Sequence, residues 1–426
     1  MQMLNNNIKT GFKPSFWTAN IMELFERLAY YGQMAILALF LSKELKFTPI
    51  QIGIITSVFG GLIYFLPIFA GALVDKFKFK KSFSLAFFVL AIGYFLMATT
   101  KLAPFAAFYS GLGINIFYIV LGILIFTAMG GSFIKPSVLG TISLTSSEHT
   151  KSIGYAIYYW LVNIGGALGP FIALFVRENI GMYAVYFVSA LSCTLMFFAS
   201  IFIFKEPENN QVSQNVNFRQ IIKNMVVVVT NIKFMIFLII FSLFWLMFWQ
   251  IYVIIPLYIT DYINPKAPIE VIISAGAWGI IALQLVVNYF TKKLSPINAI
   301  ILGFGIAGMS WLIILSHNIL PFVSPIVLIV IGVVVFSIGE MTQAPRYYEY
   351  IADLAPAGQT AMYQGFAFLP IAIGWFFGGN LGGWLYQVYA KQAHNPEMIF
   401  LILLIIGAAS VILMSLYNYI AKPKMK

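Results

Sequence analysis

The chain has 426 residues, of which 61% are hydrophobic and only 9% charged. A soluble globular chain carries about a quarter charged residues, and here apolar runs recur from end to end, which excludes a soluble domain with one anchor. The net charge of +11 would suit nucleic acid or anionic lipid, but its placement, below, argues for neither. A single cysteine, Cys193, lies in an apolar run, so no internal disulfide or redox centre is expected. His149, His317 and His394 lie far apart in connecting segments and make no metal site. No cofactor is expected.

The first ten residues are polar and Asn-rich. The first apolar run, Ser15 to Leu41, is too long for a signal-peptide core and lacks a small-residue cleavage site, so it reads as helix 1 and no cleavable signal is expected. A spanning helix needs about 20 apolar residues. Twelve segments pass: 15–42, 49–74, 82–100, 112–140, 152–176, 181–204, 232–260, 269–291, 296–316, 323–347, 360–387 and 398–420. Helices 4, 7, 10 and 11 carry polar or Gly/Pro interruptions, the mark of helices that line a water-filled path. The polar stretch Glu206–Arg219 splits the chain into six and six. The expected organisation is therefore an N-terminal bundle (1–205), a linker (206–231) and a C-terminal bundle (232–426). A faint repeat supports it, with Lys80-Lys81 after helix 2 and Lys292-Lys293 after helix 8.

Seventeen of the 25 Lys and Arg fall on one alternate set of connecting segments, six on the other, and Arg27 and Lys135 inside helices. The positive-inside rule then places both termini in the cytoplasm. The basic balance becomes a matter of topology, which removes the case for nucleic acid and makes the lipid bilayer the partner. Two six-helix halves joined by a cytoplasmic linker describe an all-α membrane protein of the major facilitator fold, in which substrate sits near mid-membrane between the halves.

Ionisable residues at bilayer depth cost roughly 2.5–3.5 kcal/mol each and are functional candidates by default. Five are deep: Glu23, Glu26, Arg27, Lys135 and Glu340. Helix 1 is the richest. Positions 23, 26, 27, 30 and 31 share one helical face, so Glu23, Glu26, Arg27, Tyr30 and Tyr31 stand together. Arg27 keeps its charge when buried and can hold one carboxylate ionised. The second then has reason to bind a proton, because desolvation and like charge both disfavour its ionised form. A static ion-pair network locking helix 1 to a neighbour is the competing reading.

Glu23-x-x-Glu26-Arg27-x-x-Tyr30-Tyr31-Gly32 resembles the helix-1 signature of the proton-dependent oligopeptide transporters, a branch of the major facilitator superfamily. Further segments are similar in order. Gly71-Ala72-Leu73-Val74-Asp75-Lys76 resembles the loop 2–3 motif, with Lys78 where a glycine is usual. Ile134-Lys135-Pro136-Ser137 resembles the Lys-Pro-Asn segment, and Tyr158-Tyr159-x-x-Val162-Asn163-x-Gly165 the helix-5 motif. Phe244-Trp245 and Gln250 match helix 7, Gly339-Glu340-Met341 with Ala344-Pro345 matches helix 10, and Leu354-Ala355-Pro356 follows. The resemblance implies a proton-coupled symporter of di- or tripeptides or related zwitterions that functions as a monomer. It implies that Arg27 and Lys135 meet a peptide carboxylate, and that Glu340 and Asn163 meet its amino group. Tyr30, Tyr31, Tyr64, Trp245 and Gln250 would line the pocket, Glu23, Glu26, Arg27 and Glu340 would couple the proton, and Asp75 and Lys76 would gate. The sequence departs from the pattern at Met34, where a second helix-1 base is common, and at Trp249, where helix 7 often has an acid. A proton-driven exporter of another small organic compound is the alternative on the same scaffold.

Blander readings stand beside these. Gly165 and Gly169 on helix 5, and Gly374, Gly378 and Gly382 on helix 11, are spaced for close helix packing. Trp245 divides evenly between pocket and packing. Arg346, Glu349 and Asp353 read as a gate or as a solvated helix end.

Overall fold

A computed structural model of the chain describes residues 11–147, 150–207, 226–356 and 360–421, the side chains of residues 72, 75, 106, 152, 318, 360–362 and 421 excepted. Most of the expected linker, His149, Lys9, the last three lysines and the Asp75 side chain lie outside the described residues. Among the described residues twelve helices are long and apolar enough to span a bilayer. They are α1 (Pro14–Glu44), α2 (Pro49–Gly71), α3 (Phe79–Thr99), α4 (Ile116–Thr145), α5 (Ile153–Asn179), α6 (Met182–Phe202), α7 (Ile232–Ile263), α8 (Ile269–Thr291), α9 (Pro296–Leu315), α10 (Pro325–Leu354), α11 (Tyr363–Gln392) and α12 (Glu397–Ile420).

Local chemistry sets many of the ends. Asn115 and Asn231 cap α4 and α7, their side chains accepting from Phe117 N (2.9 Å) and Phe234 N (3.2 Å). Pro296 and Pro325 open α9 and α10, where their missing N–H is no loss. α2 breaks at Leu66, before Pro67, and a second helical piece runs on to Phe77.

The connection after α3 is itself helical over Ala103–Gly111, held by a 2.7 Å hydrogen bond between Tyr109 Oη and Thr99 Oγ1, and one span boundary is corrected. α10 runs to Leu354 rather than 347, straight through Pro345. It stops where Ala355, preceding Pro356, turns to the extended region (ψ 134°), as the residue before a proline prefers. Arg346, Glu349 and Asp353 are therefore on the helix.

The residues group into two compact units, Met1–Leu37 with Leu62–Ile221 and Ala38–Gly61 with Ile222–Lys426. The first unit packs α3 on α6 and α4, and the second packs α9 on α12 and α10. These are the same pairings six helices apart, so the architecture repeats. Outward aromatic and aliphatic side chains are normal here, since the bilayer takes the place of water at those faces.

Candidate functional site

In the first unit, α1 presents Glu23, Glu26, Arg27 and Tyr30 to the interior, each 3% exposed or less. Arg27 Nε and Nη2 both engage Glu26 Oε2, and Arg27 Nε lies 3.3 Å from Glu23 Oε1. One guanidinium thus serves two buried carboxylates, and it also sits 4.8 Å from the Tyr30 ring centre. Tyr31 is half-buried beside it, its ring 5.2 Å from that of Tyr30.

The helix that makes this possible is α5. A Cβ on Gly165 would come within 2.4 Å of Arg27 Cβ, and one on Gly169 within 2.6 Å of the Leu28 carbonyl. The two glycines remove the side chains that would hold α5 off α1 and so fix the stem of Arg27. Asn163, half-buried on the same helix, donates to the Tyr159 carbonyl (2.8 Å).

Lys135 starts the second half of α4, beyond a break at Ser132-Phe133. Its Nζ lies 4.6 Å from the Tyr64 ring centre, and it interacts electrostatically with Arg27, Glu23 and Glu26. Two cations therefore face two carboxylates in one unit, where helix 1 alone suggests a surplus acid. Sequence reasoning missed two further members. Tyr94 of α3 is fully buried with an unpartnered hydroxyl, within electrostatic reach of Glu26 and Arg27. Cys193 of α6 is buried and feels Glu26. Neither has a spacing signal, since each is one polar atom in an apolar run.

The second unit holds Trp245, Gln250 and Glu340. Trp245 is half-buried, and a Cβ on Gly374 would come within 2.4 Å of its own Cβ. Gln250 is fully buried and donates through Nε2 to the carbonyls of Leu246 (2.8 Å) and Gly378 (2.9 Å), tying α7 to α11. Gly374, Gly378 and Gly382 form the smooth face on which α7 lies, the same device as Gly165 and Gly169 beneath α1. Glu340 is half-buried on α10 and makes no hydrogen bond or ion pair among the described residues. Gly339, next to it, presses α10 against α9, where an added Cβ would meet Gly303 O at 2.6 Å. One turn before Glu340, Phe336 meets Phe244 and Phe248 of α7, with ring centres 5.0 and 5.9 Å apart. Trp249 stacks on Trp375 at 3.9 Å. Lys76 is exposed near the end of the piece that follows α2.

The sequence matches the Major Facilitator Superfamily over residues 20–316 and 261–426. The chain belongs to that superfamily. It is a transporter fold and not an enzyme. The chain is 28% identical over 204 residues to dipeptide and tripeptide permease B of Edwardsiella piscicida, covering 46% of this chain and 39% of that one. It is 31% identical over 169 residues to the uncharacterized transporter YclF of Bacillus subtilis, covering 38% and 32%. The matched stretches thus span well under half of either relative. Among solved structures, a peptide transporter POT in complex with sulfate aligns with TM-score 0.74 at 17% identity over 96% of this chain and 94% of that one. The nucleoside transporter NupG aligns with TM-score 0.73 at 14% identity over 95% and 99%. Superfamily membership accounts for the twelve spans and for the helix pairings that recur six helices apart. The distant relationship to peptide permeases agrees with the helix-1 resemblance.

Proposed function

We propose that this protein is a proton-coupled symporter of di- or tripeptides or related small zwitterions. The observation that carries the reading is the buried set Glu23, Glu26 and Arg27 on α1 with Lys135 within electrostatic reach. Charged groups at this depth are costly and persist where they work. A guanidinium shared by two carboxylates can release one of them when a substrate carboxylate arrives, and the released carboxylate is then the proton carrier. Arg27 and Lys135 are the cations for the substrate carboxylate. Glu340, without an ion-pair partner among the described residues, and Asn163 serve its amino group. Tyr30, Tyr31, Tyr64, Trp245 and Gln250 complete the proposed pocket, Gln250 by fixing α7 on α11 rather than by its exposed surface. Asp75 and Lys76 remain the proposed gate after α2.

The same reading puts both termini on the cytoplasmic side of a cell membrane, with halves 1–205 and 232–426 joined by 206–231 and a monomer sufficient for transport. A second reading, a proton-driven exporter of another small organic compound, draws on Trp249. It stacks on Trp375 and puts an indole where the resembling helix-7 pattern often has an acid. One experiment separates them. Purified protein is screened by thermal shift against di- and tripeptides, amino acids and organic anions, and the stabilising compounds are tested in proteoliposomes. Uptake that acidifies the lumen supports symport; stabilisation by none of the peptides, with outward proton exchange against another compound, overturns it.

A further inference from the structure

The seam between α3 and α6 carries an apolar groove of about 510 Å³. Two aromatic pairs bridge the helices at its ends. Phe88 meets Phe197 with ring centres 5.6 Å apart, and Phe95 meets Phe187 at 5.7 Å. Between the pairs, Ala91 and Ala190 are too short to fill the seam, so a trough about 10 Å long stays open on the outer face of the two helices. The hydroxyl in its lining, on Thr194, already donates to the Ala190 carbonyl (2.8 Å). The trough therefore has no free side-chain donor to offer an occupant.

The two ends differ. At one, Phe105 of the short helix Ala103–Gly111 packs on Phe95 (6.5 Å) and closes the groove. At the other, an apolar track leads on to charge. Leu85 and Phe202, both exposed, continue the two walls, with Phe202 stacked on Phe198 at 6.2 Å. Lys81 lies seven residues before Phe88 and so on the same helical face. Lys205 is brought to that end because its neighbour Glu206 accepts from the N–H groups of Phe79 (3.0 Å) and Lys80 (2.8 Å). The Glu206 carboxylate is thereby spent on the backbone of α3. Lys81 and Lys205 are both exposed, and neither makes an ion pair among the described residues. The attraction for an anion is local, from two lysines over one seam rather than from the net charge of the chain.

We propose that the groove holds one acyl chain of an anionic phospholipid whose phosphate lies between Lys81 and Lys205. The depths agree. At 1.5 Å per residue the groove runs from about 10 to about 21 Å beyond Lys81. Half of the hydrocarbon core is about 15 Å, so the far part of a chain from the lysine-side leaflet lies at this level. A helix, about 10–12 Å across, is too wide for the trough. A second copy of the chain needs about 800 Å² on each partner, more than a notch of two helical turns provides. Inside a bilayer apolar surfaces gain nothing by leaving lipid. The chain is therefore kept by its fit between the aromatic pairs and chosen by its headgroup. In the proposed topology this leaflet is the cytoplasmic one, where anionic lipids give the surface its negative potential. The site is independent of the transported substrate.

The test is native mass spectrometry of the full-length protein, titrated in detergent with palmitoyl-oleoyl phosphatidylglycerol or with the phosphatidylcholine of the same chains. One phosphatidylglycerol is retained, in preference to phosphatidylcholine by about fivefold or more, as two lysines near the membrane surface provide. Lys81→Gln combined with Lys205→Gln removes the preference. Ala91→Leu combined with Ala190→Leu fills the floor and weakens retention of both lipids by about threefold or more through lost chain contacts. Lys292→Gln combined with Lys293→Gln, an exposed basic pair elsewhere on the chain, leaves the preference as in the parent. The lysine variants alter exposed side chains, so they report even if the filled groove does not fold. Equal retention of the two lipids by the parent overturns the site. So does a loss of preference at Lys292 and Lys293 as large as at Lys81 and Lys205, or unchanged retention by a folded Ala91 and Ala190 variant. A dimer that persists in place of the lipid adduct would assign the groove to a second copy and overturn it as well.

Discussion

Glu23 and Glu26 make different contacts with the same guanidinium. Glu26 takes both Nε and Nη2 of Arg27, whereas Glu23 pairs at 3.3 Å without hydrogen-bond geometry. Replacing either carboxyl with an amide keeps the shape and removes the exchangeable charge. Glu23→Gln and Glu26→Gln are each expected to abolish gradient-driven accumulation while substrate binding persists, measured as uptake with and without a pH gradient beside a binding isotherm. If both variants accumulate substrate at the parental level, the network only locks α1 in place. In the proposed reading Lys135 and Glu340 meet the substrate. Lys135→Ala and Glu340→Ala are each expected to weaken binding about tenfold or more, or about 1.4 kcal/mol, the lower range for a charge-assisted hydrogen bond. Glu340→Asp should lose less, and ligands lacking an amino group should sense Lys135 but not Glu340. Unchanged isotherms in both alanine variants would remove the zwitterion pocket.

Two backbone features act at the scale of the helix. Lys78 is the single residue between the helical piece ending at Phe77 and α3, with φ +69° and ψ 160°, a region that glycine enters freely and other residues enter at a cost of roughly 1–3 kcal/mol. That is the position where the resembling motif has glycine. The turn is held from the far side by Glu206, whose carboxylate accepts from the N–H groups of Phe79 (3.0 Å) and Lys80 (2.8 Å) at the start of α3. Lys78→Gly is therefore expected to raise thermal stability by about 1 kcal/mol, read as a higher unfolding temperature in detergent. A lowered temperature would mean that the lysine side chain is worth more than the strain. Gly165 is the opposite case. With 2.4 Å from an added Cβ to Arg27 Cβ, Gly165→Ala must push α5 off α1 or move Arg27. Expected are a stability loss of about 1–3 kcal/mol and loss of uptake. Normal uptake by this variant would show that the position of Arg27 is not critical.

For the whole molecule, the alternation of basic and non-basic connections sets the proposed topology. Reporter fusions after Lys101 and after Lys205 are expected to report opposite sides of the membrane, the second cytoplasmic. The same side for both would break the twelve-span order.

What the sequence by itself determined is local. Twenty-residue apolar runs identify the spans, and helical periodicity along α1 puts Glu23, Glu26, Arg27 and Tyr30 on one face, because residues three and four apart are neighbours whatever surrounds them. Glycines four apart on α5 and α11 likewise announce close packing without naming its partner. Only the tertiary structure decided the pairings across helices: Arg27 against Gly165, Lys135 within reach of Glu26, Tyr94 and Cys193 beside them, and Gln250 committed to Gly378. Asp261 shows the limit most clearly. The apolar pattern ends α7 at residue 260, while Lys43 and Lys391 read as ordinary loop charges. Wider π-turns at Phe40–Glu44, Ile259–Ile263 and Tyr386–Gln392 extend three helices and bring Asp261 to Lys43 and Lys391, 218 and 130 positions away in the chain. A one-residue change of helical register leaves almost no mark on composition or periodicity, yet it decides which way a charge points.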